Sequence, residues 1–268
     1  MRIALIGYGK MGAALMSQWR GVALERFADH RFFVIDPAVE PAPGGGAAEP
    51  TFLTEPPAVS DCAFDLIIVA VKPQLVDEVL PPYAERLAPG GFVASIAAGC
   101  SIARLRALMG GAPTVRIMPN LPAAIGAGVS GLCADSSVDQ ARRGPVEALM
   151  AAVGTVVWVD SEDQLDRFTA VAGSGPGYVF EIARSYAQAA ADLGFDAETA
   201  RRLALDTLAG TIEMARQSDQ PLDALRDSVT SKGGTTAAGL AALNGEGGLD
   251  RLMKATLQAA HARAIALR

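Results

Sequence analysis

Two clusters of residues in this sequence have the types and spacing for chemistry, one near each end of the chain. The first is Gly7-Tyr8-Gly9-Lys10-Met11-Gly12, a G-x-G-x-x-G spacing between the apolar run Arg2–Ile6 and a helical pattern, Met11–Trp19. In such a turn one glycine permits the tight reversal, one lets backbone approach a pyrophosphate, and one lets the helix lie close to the strand. The helix start adds unpaired N–H groups and partial positive charge for the phosphates. Asp36 closes the next strand, where a carboxylate accepts hydrogen bonds from both ribose hydroxyls and repels a 2′-phosphate. Together they predict a dinucleotide site, with NADH favoured over NADPH because Pro37, Ala38, Val39 and Glu40 add no basic group. Arg31, which precedes the strand end, is the cation that could swing in and alter that preference. The plain alternative is a glycine-rich turn with no ligand.

The second cluster runs Asp227-Ser228-Val229-Thr230-Ser231-Lys232-Gly233-Gly234-Thr235-Thr236 and leads into the apolar stretch Ala237–Leu243. Hydroxyls and glycines at a helix start leave N–H groups pointing outward, a cradle for a small carboxylate. Capping of the helix by Thr235 or Thr236, with the glycines forming only a turn, is the other reading. Ala70-Val71-Lys72-Pro73 and Ser95-Ile96-Ala97-Ala98-Gly99 fall at strand ends, where ligands of open α/β sheets bind. Lys72 is either an acid or, more commonly for such a lysine, solvent-facing or phosphate-adjacent. Histidine is scarce: His30 opens a strand and His261 lies near the last residue. Hydroxy-acid dehydrogenases usually need a strong acid–base group, commonly a histidine backed by a carboxylate, to move the alcohol proton. The scarcity favours a substrate whose reacting atom already carries its proton, such as a protonated imine, although Lys or Tyr can also serve as acids.

Elements that could position these residues follow from pattern. Arg2–Ile6, Phe32–Ile35, Leu66–Val71, Phe92–Ile96, Val115–Met118 and Val156–Val159 read as strands apolar on both faces. Met11–Trp19, Leu75–Leu87, Ile102–Met109 and Val138–Ala152 read as the helices between them. Pro37–Pro57, rich in proline and carrying Gly44-Gly45-Gly46, predicts a loop with one short strand near Thr51–Leu53. Past Asp160 the pattern turns helical: Pro176–Leu193, Ala197–Arg216, Leu222–Val229, Thr236–Leu243 and Leu249–Ala266. The expected fold is α/β, a Rossmann-type dinucleotide-binding domain over 1–160 and an all-α domain over 161–268. The first two C-terminal helices are apolar around much of their circumference, so a partner subunit is the expected cover, with a monomeric helical core as the alternative.

Of 268 residues, 50% are hydrophobic and 19% charged, and the formal net charge is −6. This suits a well-buried globular chain rather than a disordered one and gives no footprint for nucleic acid or a membrane surface. No apolar run reaches the length of a membrane span and no signal peptide is expected, since Arg2–Ile6 runs straight into glycines. Cys62, Cys100 and Cys133 are scattered, which predicts reduced thiols in the cytoplasm and no zinc site.

In order along the chain, Ile6–Gly12, Val71-Lys72-Pro73, Ser95–Gly99, Met118-Pro119-Asn120, Gly173-Ser174-Gly175-Pro176-Gly177-Tyr178 and Ser231–Thr236 resemble the motifs of pyrroline-5-carboxylate reductases. The last two are the specific ones. The resemblance implies a Rossmann domain and a helical domain interlocked with its twin in a dimer, often within larger rings. It implies hydride transfer from NAD(P)H to the imine carbon of 1-pyrroline-5-carboxylate, giving L-proline. By motif, Gly234 and Thr235 would bind the substrate carboxylate through backbone N–H groups, with Ser231 beside them. Thr236 would hydrogen-bond the ring nitrogen, Glu162 and Asn120 would line the same pocket, and Ser228 would touch the cofactor. Gly7, Tyr8, Gly9, Lys10, Met11, Gly12, Asp36, Ala70, Val71, Lys72, Pro73, Ile96, Ala97 and Ala98 would form the rest of the cofactor site. The chain departs from the family at Lys232 (usually proline), Leu121 (threonine), Gly177 (alanine) and Arg184 (glutamate in some members), which bears on the imino acid taken. The competing readings are a reductase of another imine, a two-domain hydroxy-acid dehydrogenase, and a non-catalytic dinucleotide-binding protein.

Overall fold

A computed structural model describes residues 1–21, 29–44, 49–60 and 63–267. Gly45 and Gly46 of the proline-rich loop, and Cys62, lie outside the described residues. The N-terminal part runs β1 (Arg2–Ile6), α1 (Lys10–Gly21), β2 (Arg31–Ile35), β3 (Thr51–Leu53) and β4 (Phe64–Val69). It continues through α2 (Val76–Val79), β5 (Leu87–Ser95), α3 (Ile102–Leu108), β6 (Thr114–Met118), β7 (Gly128–Ala134), α4 (Gln140–Ala151), β8 (Gly154–Trp158) and α5 (Glu162–Phe168).

The eight strands form one sheet in the order β3-β2-β1-β4-β5-β6-β7-β8. All neighbours are parallel except β6 and β7. Side chains alternate across the sheet, as the pleat requires. Ile3, Leu5, Val34, Leu66 and Ile68 join α1 and α4 on one face. Ala4, Ile6, Ile35, Ile67 and Val69 join Val76, Leu80, Tyr83 and Leu105 on the other. Both faces are therefore covered, which is why the strands read as unbroken apolar runs. The order reverses at β1, with β2 on one side and β4 on the other, and that reversal opens a crevice at the strands' C-terminal ends.

Three elements differ from expectation. The helix predicted over Leu75–Leu87 is broken into a 3-10 turn at Pro73–Leu75, the single turn of α2, and a 3-10 stretch at Pro81–Arg86. Pro81 and Pro82 cannot donate to an α-helical ladder, so the tighter turn takes over. Strand β7 was not expected, because its sequence GVSGLCA carries little β propensity. Its glycine is a packing device: a Cβ on Gly131 would stand 2.6 Å from the Phe168 ring. Helix α5 was also missed, although Ser161 caps it by accepting from Gln164 N at 3.2 Å while Gln164 Oε1 accepts from Asp160 N at 2.9 Å.

After α5 a π-helical turn spans Thr169–Gly173. Then come α6 (Gly175–Asp192), α7 (Ala197–Arg216), α8 (Leu222–Ser228), α9 (Thr235–Leu243) and α10 (Gly248–Ala266). The chain divides into two compact units, Met1–Ser174 with the residues from Ala260 onward, and Gly175–Ala259. Within the second unit α6 and α7 are in contact, and Ala183, Ala200 and Ala204 are buried. Large apolar side chains on this unit remain open to solvent: Phe180 is 62% exposed, Met214 67% and Leu222 74%. Exposed apolar surface on this scale calls for a protein partner. Among the described residues no helix is long and apolar enough to cross a membrane.

Candidate active site

The glycine turn sits where the sheet order reverses. Gly7 N donates to Ile35 O at 2.9 Å and Ala70 N donates to Ile6 O at 2.8 Å, so the ends of β1, β2 and β4 are tied together. Gly7 has φ +97°, and a Cβ there would stand 2.8 Å from the Ala70 carbonyl carbon and Val71 N. At Gly12 a Cβ would meet Gly7 O at 2.4 Å. A Cβ on Gly9 would meet nothing within 4 Å. Two glycines thus serve the turn and the close approach of helix and strand, and the third leaves open space where a phosphate would approach. These residues fit a dinucleotide. Gly9→Ala should leave the melting temperature unchanged while weakening dinucleotide binding about tenfold, close to 1.4 kcal/mol, in a fluorescence titration. Equal loss of stability would mean that this glycine, too, serves only the fold.

Asp36 is half-buried, and each of its oxygens already has one backbone partner. Oδ2 accepts from Tyr8 N at 2.7 Å and Oδ1 from Ala38 N at 2.8 Å. The carboxylate so braces the glycine turn, and each oxygen keeps acceptor capacity for a hydroxyl. Tyr8 meets Phe52 edge-on, ring centroids 5.5 Å apart. Beside Asp36 lies a cleft of about 420 Å³ whose walls include Gly7, Val71, Leu75, Glu78 and Tyr83. Burial pushes the Tyr83 phenol up to about 12, so it stays protonated. Arg31 does not reach this cleft. It is the first residue of β2, its N–H bonded to Met1 O at 2.8 Å, and four residues of extended chain (roughly 13 Å) separate it from Ile35.

Of the other predicted contacts, Lys10 and Met11 open α1. Ala70, Val71 and Lys72 follow β4, and Lys72 O accepts from Leu75 N after Pro73 turns the chain. Ser95 is buried at the end of β5, its Oγ accepting from Ala97 N at 3.2 Å, with Ile96 and Ala98 on either side.

Glu162 and Asn120 hold the first unit together. Glu162 Oε1 accepts from Ile102 N at 3.0 Å, anchoring the start of α3, and also pairs with the Arg116 guanidinium. Arg116 is buried, and its other terminal nitrogen lies 3.9 Å from Asp166, which is buried as well. Asn120 Oδ1 accepts from Val129 N at 2.8 Å, and Nδ2 donates to Ala172 O in the π turn at 3.0 Å. Sequence reasoning missed Arg116 and Asp166. The signals were a lone arginine inside the apolar strand Val115-Arg116-Ile117 and two carboxylates, 162 and 166, one helical turn apart. Cys100 and Cys133 are free, and burial pushes both thiols up.

In the second unit the hydroxyl loop is built by local hydrogen bonds. Ser228 Oγ donates to Leu225 O and Thr230 Oγ1 to Arg226 O, both at 2.7 Å. Gly233 adopts φ +75°, and Gly234 N donates to Ser231 O at 3.0 Å. A Cβ on Gly234 would stand 2.3 Å from Ser231 Oγ, so only glycine lets that hydroxyl sit against the helix start. The residue that caps α9 is Gly234, and no side chain bonds to the cap. Neither threonine caps the helix. The first N–H groups of α9, those of Thr235 and Thr236, therefore face outward with the positive end of the helix dipole. Thr236 also lines an apolar groove of about 720 Å³ with Ile182, Ser185, Tyr186, Leu240 and Leu243. Lys232 is exposed, and Arg184 is paired with Glu181 at 2.6 Å.

Comparison with known proteins agrees with both halves. The family model described as pyrroline-5-carboxylate reductase dimerisation matches residues 162–267. A pyrroline-5-carboxylate reductase of Pseudomonas aeruginosa is 37% identical, covering 99% of this chain and 96% of its own. One from Haemophilus influenzae is 35% identical over 91% of this chain and 89% of its own. Among solved structures, a pyrroline-5-carboxylate reductase from Coxiella burnetii superposes with a TM-score of 0.87 at 31% identity, covering 99% and 97% of the two chains. A Plasmodium falciparum pyrroline carboxylate reductase with NADP bound gives 0.81 at 26% identity, covering 100% and 98%.

Proposed function

The chain belongs to the pyrroline-5-carboxylate reductase family, and on that premise we propose that it reduces 1-pyrroline-5-carboxylate to L-proline. A reduced nicotinamide dinucleotide supplies the hydride for the imine carbon. The observation that carries the substrate assignment is the start of α9, where glycine caps the helix and the N–H groups of Thr235 and Thr236 are left for an anion. Thr235 holds the carboxylate through its backbone N–H, with the Ser231 hydroxyl beside it; the Gly234 N–H, expected at the carboxylate by motif, is instead given to Ser231 O, and Gly234 serves as the helix cap. Thr236 Oγ1 accepts a hydrogen bond from the protonated ring nitrogen, so the substrate brings the proton that the product amine keeps. A histidine acid is then unnecessary. Ser228 contacts the cofactor, and Glu162 and Asn120 shape the pocket through the backbone they fix.

The dinucleotide lies along the glycine turn, Asp36, Ala70–Pro73 and Ile96–Ala98, and the chain prefers NADH. Asp36 keeps free acceptor capacity for ribose hydroxyls, and among the described residues no basic one lines the neighbouring cleft. Asp36→Ser should therefore shift the ratio of kcat/KM values toward NADPH by about tenfold, near 1.4 kcal/mol. An unchanged ratio would remove Asp36 from cofactor choice.

Residues 1–160 serve the dinucleotide, and 161–268 serve substrate binding and self-association as a dimer or a multiple of dimers. The match over 162–267 and the exposed apolar helix faces support this division. The chain acts in the cytoplasm, consistent with its free buried thiols. The test is steady-state oxidation of NADH and NADPH with pyrroline-5-carboxylate, pyrroline-2-carboxylate and piperideine-2-carboxylate. The highest kcat/KM is expected for the first, and a higher value for either of the others would reassign the substrate.

A further inference from the structure

We propose that Glu78 is a second determinant of dinucleotide choice, acting with Asp36 to exclude a 2′-phosphate. The inference rests on the proposed use of the cleft beside Asp36 for the adenosine half of the cofactor.

That cleft joins the ends of β1 and β2 to the segment following β4, and its walls include both Asp36 and Glu78, the latter on α2. The remaining lining is apolar or neutral, including Ile35, Val71, Leu75, Val79 and Tyr83. Such a surface suits an adenine ring, whose flat faces need apolar cover. Among the described residues, no lysine or arginine lines the cleft. Arg86, on the adjoining 3-10 stretch, is not a lining residue and keeps its charge, but its donors are directed to backbone: Nε donates to Pro57 O at 2.7 Å and Nη1 contacts Pro82 O.

The two carboxylates are not equivalent. Asp36 spends part of its capacity bracing Tyr8 N and Ala38 N, so a change there disturbs the glycine turn along with any ligand. Glu78 is exposed and, among the described residues, has neither a hydrogen-bond nor an ion-pair partner. A dianionic 2′-phosphate entering there meets two like charges and, among the described lining residues, no cation, whereas a 2′-hydroxyl meets acceptors. The break at Pro81 and Pro82 keeps α2 to a single turn, and this short element is what presents Glu78 to the cleft.

The experiment measures equilibrium binding of NADH and NADPH to the full-length chain by fluorescence titration, without substrate, at low and high salt. Glu78→Gln should lower Kd for NADPH about threefold to tenfold and leave Kd for NADH within about twofold, since one partly screened like charge is removed. In the parent chain the ratio of NADPH to NADH Kd should fall as salt rises, and in Glu78→Gln that salt dependence should flatten. Glu78→Lys should carry the ratio further in the same direction. If Asp36→Ser shifts the ratio and Glu78→Gln does not, Glu78 has no part in selection and the inference is overturned. If neither variant shifts it, the cleft does not hold the ribose end, and the reading beneath the inference fails with it.

Discussion

Arg116→Leu is expected to lower the unfolding free energy by about 3–5 kcal/mol, read from the midpoint of a urea transition. Arg116 is 4% exposed in the middle of β6, flanked by Val115 and Ile117, and its guanidinium faces Glu162 and Asp166. Removing it leaves two carboxylates together in a poorly solvated site without the cation that compensates them. The loss is larger than a leucine's added burial can offset. The effect should also reach cofactor binding. Glu162 holds the N–H of Ile102, so the carboxylate that anchors α3 also sets the end of the loop running from Ser95 to Ser101. A triple change, Arg116→Leu with Glu162→Gln and Asp166→Asn, should recover much of the stability, because no uncompensated charge remains. A midpoint unchanged in the single variant would show that the pairing carries no net stability.

Thr236→Ala should lower kcat/KM for the imine substrate roughly 10- to 100-fold, the loss of one hydrogen bond to the reacting nitrogen worth ~1.5–3 kcal/mol. The structure separates this from a capping effect. Gly234 caps α9 without help from any side chain, and Thr236 is exposed at the second helical position, where alanine is a better helix former. The melting temperature should therefore hold steady while turnover falls, and Thr236→Ser should restore most of the activity by returning the hydroxyl. Unchanged kinetics in Thr236→Ala would take this residue out of the mechanism.

Much of this is legible in the sequence. A glycine turn between a strand and a helix, with an acid at the end of the following strand, has few structural meanings, because each glycine is there for a stated steric reason. The helical C-terminal half was equally plain from its periodicity and its small residues. What escaped was decided by tertiary contacts. Strand β7 is built around Gly131, whose value lies in the Phe168 ring lying against it, and single-sequence propensity has no term for that. The break in Leu75–Leu87 was written in Pro81 and Pro82 and outweighed by the apolar period around them. Arg116 gains its meaning only from two acids of α5, Glu162 and Asp166, that the fold brings to face it. Asp36 was read as a ribose ligand alone, and its second task, bracing Tyr8 N, depends on a turn geometry that spacing does not reveal.

The most direct test follows the hydride. The enzyme would be supplied with nicotinamide cofactor carrying deuterium at the transferable C4 position and with 1-pyrroline-5-carboxylate, and the product would be read by mass spectrometry and proton NMR. The expected product is L-proline with a single deuterium on its δ carbon, formed at the rate of cofactor oxidation. Cofactor oxidation without labelled proline, or deuterium at any other carbon, would contradict hydride delivery to an imine held at the start of α9.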